Sequence, residues 1–163
     1  MKTTYQIKSS NAGFEIYNEH EKLLTTFRYD GWFSSNGKAE LPDKQLFLKP
    51  KNIWASKFDI FINEIDKGDI VFNWKGQIII RIDYDGKEKI FLLKGRGLMN
   101  HHFILENEMG IVTLAFMPRF NWTSFRYEYQ VEVEPNQESP LELLISCQFA
   151  INLYMTMTTA AAV

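Results

Sequence analysis

The sequence predicts a mainly β fold: roughly twelve antiparallel strands closing a β-barrel around a C-terminal hydrophobic central helix (139–163). Three observations predict it. Short segments alternate apolar and polar residues, which gives a strand one buried and one wet face. Turn signals separate these segments at short, regular spacing. The last two dozen residues carry no charged side chain beyond Glu142.

The N-terminal half supplies short strand candidates at 5–8, 14–18, 22–29, 45–48 and 58–65, punctuated by Asn11-Ala12-Gly13, Asn36-Gly37 and Lys67-Gly68. The middle is clearer. Ile70, Phe72 and Trp74 share one face of 69–74, and Ile78, Ile80, Ile82 and Tyr84 share one face of 77–84. Asp85-Gly86 then predicts a type I′ hairpin, because that turn needs positive φ at both central positions, and 87–94 returns as the next strand. Candidates at 102–106 and 110–117 follow. The strongest alternation comes last, with Phe125, Tyr127, Tyr129, Val131 and Val133 interleaved with Arg126, Glu128, Gln130, Glu132 and Glu134. A shared spacing, Asn18-Glu19 to Phe27 and Asn107-Glu108 to Phe116, suggests two similar meander halves.

The helix opens at Ser139-Pro140-Leu141-Glu142. Ser139 is placed to cap, Pro140 suits the first helical position, and Glu142 has the capping-box spacing. From Leu143 to Val163 there is neither charge nor Gly nor Pro. At ~1.5 Å per residue the segment reaches about 33 Å, enough to cross a bilayer. Gln148 and Asn152 sit mid-segment, however, and no Lys or Arg follows Arg126 to flank a span. Uncharged polar residues occupy one side of the wheel and bulky ones the other, a pattern that suits a protein interior. An eight-stranded barrel fills itself with its own side chains, whereas eleven or twelve strands leave a space to be filled. A buried helix is the simplest filler. A helix on the outside of an open sheet and a tail anchor are the other placements.

Length suits one domain, 1–163. A formal charge of −2 provides no global basic field, so nucleic acid is not an expected partner. Cys147 stands alone, which rules out an intrachain disulfide and makes a disulfide-linked partner unexpected. The first residues lack the apolar run of a signal peptide, and the expected location is cytoplasmic.

The run Phe103-Ile104-Leu105-Glu106-Asn107-Glu108-Met109-Gly110-Ile111-Val112-Thr113-Leu114-Ala115-Phe116 reads as a strand, a polar turn with a Gly, and a second strand. With the meandering strands and the terminal apolar helix, this pattern resembles the tubby C-terminal-like group, which includes tubby, the phospholipid scramblases and the LURP-one-related proteins. The resemblance implies a twelve-stranded barrel around a central helix. The acidic stretch 132–138 lacks the Asp-x-Asp spacing of a scramblase-like calcium loop, and no position matches tubby's phosphoinositide-binding residues, so no site residue is carried over.

Chemistry-bearing motifs are sparse. Cys147 lies among Ile145, Phe149 and Ala150, the setting of an inert core thiol. His101 and His102 are adjacent, so on a strand they point apart and cannot chelate together. Asp83-Tyr84-Asp85-Gly86 opens like a calcium loop but has Lys94 where the bidentate Glu belongs. No catalytic residue, metal ligand or cofactor is expected. Lys87, Lys89, Lys94 and Arg96, gathered around Gly95 and Gly97, are the candidate anion-binding residues, and Lys49-Pro50-Lys51 would join them if the fold allows. Lysines that block pairing at a strand edge give the same pattern. Trp and Phe beside turn residues, in 29–33 and 120–122, would line a pocket or partner surface, or close the ends of a barrel. The expected function is a non-enzymatic binding module for a lipid headgroup, another anionic ligand or a protein partner, with membrane contact peripheral at most. The alternatives are a tail-anchored protein using 143–163 and an enzyme with an unrecognised pocket.

Overall fold

Alternation along the chain becomes twelve strands and one helix in a computed structural model that describes residues 2–10, 12–31, 36–52, 56–73, 75–96 and 102–161. The strands are β1 (Thr3–Ser10), β2 (Gly13–Asn18), β3 (Leu23–Tyr29), β4 (Gly37–Glu40), β5 (Gln45–Pro50) and β6 (Lys57–Ile62), then β7 (Ile65–Phe72), β8 (Ile78–Tyr84), β9 (Lys87–Arg96), β10 (His102–Glu106), β11 (Val112–Asn121) and β12 (Arg126–Val133). Each pairs antiparallel with the next, and β12 returns to pair with β1 from Thr3↔Val133 to Lys8↔Glu128, closing the barrel. Closure leaves no free edge. The predicted fold class is therefore the observed one.

Local differences have local causes. The candidate strand 58–65 is a hairpin. Asn63 and Glu64 both adopt positive φ (50° and 67°), a tight turn that Glu seldom supports and that sequence does not announce. Asp85-Gly86 makes the expected turn, with φ of 51° and 77°. Lys67-Gly68 is no turn. Gly68 lies inside β7 opposite Ile82, beside a register shift in β6, and a Cβ there would stand 1.9 Å from the Arg81 carbonyl oxygen. Glycine is used here for close backbone approach. β4 was not foreseen: its four residues include a Gly and an Ala, too short and too small to show alternation.

The Asn-Glu echo has a physical basis, but not the expected one. Asn18 Oδ1 accepts from the backbone N–H groups of His20 and Lys22, and Asn107 Oδ1 accepts from those of Met109 and Ile111. Asn73 does the same with Lys75 and Gln77. The feature is one Asn-nucleated five-residue hairpin turn used three times. The first two turns join β2 to β3 and β10 to β11, eight strands apart, so they do not relate two six-stranded halves.

The helix, α1 (Leu141–Ala161), enters the barrel with its first half, while Thr156, Met157 and Thr158 are exposed beyond the far end. Ten consecutive residues, 142–151, are buried. Ten residues sample every direction around a helix, so α1 is surrounded, and the lumen is the place where strands surround it. Phe149 packs edge-on against Phe27 of β3 and Phe58 of β6, with ring centroids 5.7 and 5.0 Å away, while Tyr154 meets Phe103 of β10 at 5.6 Å. The polar stripe is largely satisfied internally: Ser146 Oγ donates to the Glu142 carbonyl and Gln148 donates to Asn152 Oδ1. The first turn differs from expectation by one residue. Pro140 supplies the first accepting carbonyl, to Leu144, and Glu142 accepts from Lys44 Nζ at 2.9 Å. Among the described residues no helix is long and apolar enough to cross a membrane, and the tail-anchor placement of 143–163 gives way to the lumen.

Candidate functional site

In a closed meander, alternate connections leave alternate ends of the barrel. The links β2–β3, β4–β5, β6–β7, β8–β9 and β10–β11 lie at the end where α1 begins. The links β1–β2, β3–β4, β5–β6, β7–β8, β9–β10 and β11–β12 lie where α1 finishes. Contacts at the two ends of the helix agree: Glu142 meets Lys44 in the β4–β5 link, and the Tyr154 hydroxyl approaches Gly76 in the β7–β8 link.

This parity divides the four basic residues of β9. Lys87 and Lys89 share the inward register of Phe91 and Leu93 at the helix-start end, where Lys89 pairs with Glu138 at 3.7 Å and lies 5.7 Å from the Tyr84 ring centre. Lys94 and Arg96 point outward near the other end, and Lys94 is held by Glu106 at 2.9 Å. Nine strand positions, about 30 Å, separate Lys87 from Arg96. The structure does not bring the four together. Lys49 and Lys51 sit on the side of Arg96, not of Lys87. Gly97 and His101 lie outside the described residues, as do Trp32 and Phe33.

At the helix-start end a cleft of about 620 Å³ is lined by Lys44, Lys67, Tyr84 and the carboxylates Asp83, Asp85, Glu138 and Glu142. Carboxylates outnumber cations there, which disfavours an anion. Lys44 and Glu142 touch, but the hydrogen bond that Lys44 donates to Glu142 raises the Lys44 pKa above its ordinary value. A lysine serving as a base near neutrality needs the opposite shift, so this pair ties the β4–β5 link to the helix. A second hollow, about 460 Å³, lies on the outer wall, where Asp69 accepts a two-pronged hydrogen bond from Arg81 at 2.7 and 2.8 Å and meets Lys57 at 3.4 Å. Burial raises the Cys147 thiol pKa, consistent with an inert thiol. Among the described residues no three His, Cys, Asp or Glu side chains are grouped to hold a metal.

The helix-exit end is different. Its links, with two strand residues on either side, contain eight Lys or Arg and one acid, Asp30. Arg28 and Lys38 flank the β3–β4 link, Lys49, Lys51 and Lys57 flank or occupy the β5–β6 link, and Lys75 lies in the β7–β8 link. Arg96 ends β9 and Arg126 opens β12. The same count at the helix-start end, with the N-terminal residues, the β12–α1 link and the first helical turn, gives four Lys or Arg against fifteen Asp or Glu. A formal charge of −2 conceals a barrel with one basic and one acidic end.

The basic end also carries an aromatic hairpin. β11 pairs with β10 only as far as Phe103↔Phe116, and β12 pairs with β1 only as far as Lys8↔Glu128, while the two strands continue to pair with each other to Asn121↔Arg126. β1 continues beside β12 to Ser10, with Ser9 Oγ donating to the Tyr127 carbonyl at 3.0 Å and Arg126 reaching the Ser9 carbonyl at 3.5 Å. Phe120 lies at the centre of a ring cluster, with centroids 4.8 Å from Trp122, 5.2 Å from Tyr127 and 6.3 Å from Phe125. Trp122 and Phe125 remain 76% and 74% exposed.

An X-ray structure of a protein from Arabidopsis thaliana shares the fold: TM-score 0.64, 10% identity, covering 93% of this chain and 90% of that one. At that identity the likeness speaks to fold alone. No family model matches the chain, and no curated protein does.

Proposed function

We propose that the protein is a non-enzymatic, cytoplasmic binding module of the tubby-like kind, which recognises an anionic ligand with the helix-exit end of its barrel. The observation that carries this reading is the segregation of charge: eight basic residues and one acid at that end. Lys51 and Lys57 are met from the outer wall by Asp59 at 3.9 Å and Asp69 at 3.4 Å; like charges repel, so the excess that remains favours an anionic partner. The tubby-like assignment is supported by the closed twelve-stranded barrel with its helical core. Carboxylates at the acidic end make Lys87 and Lys89 poor anion ligands, which moves the proposed site to Arg28, Lys38, Lys49 and their neighbours.

Titration with inositol hexakisphosphate at physiological salt tests the reading. Binding is expected, and charge reversal by Arg28→Glu and Lys49→Glu weakens it at least tenfold, whereas Lys87→Glu with Lys89→Glu leaves it unchanged. Absence of binding, or equal loss from both pairs of substitutions, overturns it.

A further inference from the structure

The barrel carries the complement of its own basic end. Resting on the reading above, we infer that the anionic partner is the acidic end of a second copy of this chain, so that copies associate head to tail along the barrel axis. Three observations point there.

First, each end keeps a like-charge pair that an opposite charge relieves. Arg28 and Lys38 stand directly opposite each other across β3 and β4 at the basic end, and Asp83 and Glu88 do so across β8 and β9 at the acidic end. Like charges in that register repel. Arg28, Lys38 and Glu88 are exposed, so both pairs can be met from outside.

Second, the acidic end can receive a cation. Its cleft of about 620 Å³ is lined by Asp83, Asp85, Glu138 and Glu142. Two oxygens of its lining residues, the Tyr84 hydroxyl and Asp83 Oδ1, are buried without a hydrogen-bond partner, whereas buried polar groups ordinarily have one. Each accepts a hydrogen bond from an entering ammonium or guanidinium. Those are the groups that Arg28, Lys38, Lys49 and Lys75 expose at the other end.

Third, the two ends match in extent and in apolar character. Twelve strands ~4.8 Å apart and tilted by ~40° close a ring about 24 Å across, an end face of roughly 450 Å² before side chains enlarge it. Basic residues lie in or beside five of the six links at one end, and acidic residues in or beside all five links at the other. Trp122 and Phe125 are exposed at the first end, and Ile65, Met109 and Ile111 at the second. A contact of this size belongs to the weak, reversible class. Because the two ends face opposite ways, the contact is heterologous and yields open chains instead of a closed dimer.

Sedimentation velocity on the whole chain tests the inference. At low ionic strength the weight-average mass of the wild-type protein should rise with concentration above the 19.1 kDa of the monomer, and salt or inositol hexakisphosphate should return it there. Two variants separate the ends. Arg28→Gln with Lys49→Gln weakens the basic end, and Asp43→Asn with Glu88→Gln weakens the acidic end. All four side chains are exposed and none of the four residues has positive φ, so the fold persists. Taking two positive charges from −2 gives −4, and taking two negative charges gives 0, so overall charge does not draw the variants together. Each alone should associate roughly fivefold more weakly than wild type. Mixed in equal amounts, they should recover the wild-type affinity but stop at a dimer of one copy of each, because one intact basic end meets one intact acidic end. Association that persists in inositol hexakisphosphate, or that the mixture does not restore, overturns the head-to-tail contact. A wild-type chain that binds inositol hexakisphosphate yet stays monomeric at low ionic strength overturns the inference and leaves the anion reading standing. A chain that neither associates nor binds inositol hexakisphosphate overturns both.

Discussion

At the scale of single residues, stability centres on side chains that α1 presents to the barrel wall. Phe149 is 1% exposed and touches rings from two strands of the wall, Phe27 and Tyr29 on β3 and Phe58 on β6. Phe149→Ala would leave a cavity bounded by rigid strands, so we expect a loss of about 3–5 kcal/mol in the denaturant-unfolding free energy. A loss under ~1 kcal/mol would mean that the lumen collapses around the gap. Burial acts on acids as well as on packing. It raises the pKa of Cys147 above 9.0 and those of Tyr29, Tyr84 and Tyr129 above 10.0. The folded state holds these protons where the unfolded chain releases them, so the stabilisation is complete below the unfolded values and declines as pH rises toward the folded ones. Denaturant midpoints should fall progressively above about pH 9, with thiol labelling and the tyrosinate absorbance of these three buried tyrosines appearing together with unfolding. Rapid labelling of Cys147 in the folded protein at neutral pH would show that the lumen opens.

At the scale of elements, the turns and the helix carry separable contributions. Asn107→Ala removes the acceptor for two backbone N–H groups in the β10–β11 turn and should cost about 1–2 kcal/mol, and Asn18→Ala should cost a similar amount in the β2–β3 turn. A change within error at both would mean that water replaces the side chain. Stopping the chain after Glu138 removes the lumen's filling, and we expect loss of the cooperative unfolding transition, with aggregation. A soluble truncated chain that unfolds cooperatively would show that the strands close without the helix. Legibility in the sequence followed the same division. Long alternating runs such as 125–134 and a helix with one charged residue, Glu142, are patterns of period and composition, and both were readable. β4 and the Asn63-Glu64 turn were not, because four residues whose inward pair is only Gly37 and Ala39 carry no apolar period and positive φ at Glu is imposed by the strands on either side. Lys87 to Arg96 looked like a cluster because neighbours in sequence look like neighbours in space, whereas a ten-residue strand carries its ends far apart and alternates its faces. The basic end was invisible for the converse reason: its residues come from five separate links and become neighbours only when the meander closes.

At the scale of the whole molecule, the charge pattern follows from topology and makes a prediction independent of any ligand. A meander barrel sorts connections by parity, so any bias in which links carry lysine becomes a difference between the two ends. The helix sharpens it, since α1 contributes one charged side chain, Glu142, and places it at the acidic end. With a Debye length of about 8 Å at physiological ionic strength, charges at opposite ends are screened from one another, and each end acts on its surroundings almost alone. A protein of formal charge −2 and isoelectric point near 5.9 should ordinarily pass through a cation exchanger at neutral pH. This one should be retained there, basic end first, and also on an anion exchanger, acidic end first. Arg28→Glu with Lys49→Glu should abolish retention on the cation exchanger and strengthen it on the anion exchanger, while Lys87→Glu with Lys89→Glu should change only the latter. Flow-through of the unaltered protein on the cation exchanger at low salt would mean that the two ends are not electrostatically distinct, and the argument for a basic docking face would fall with it.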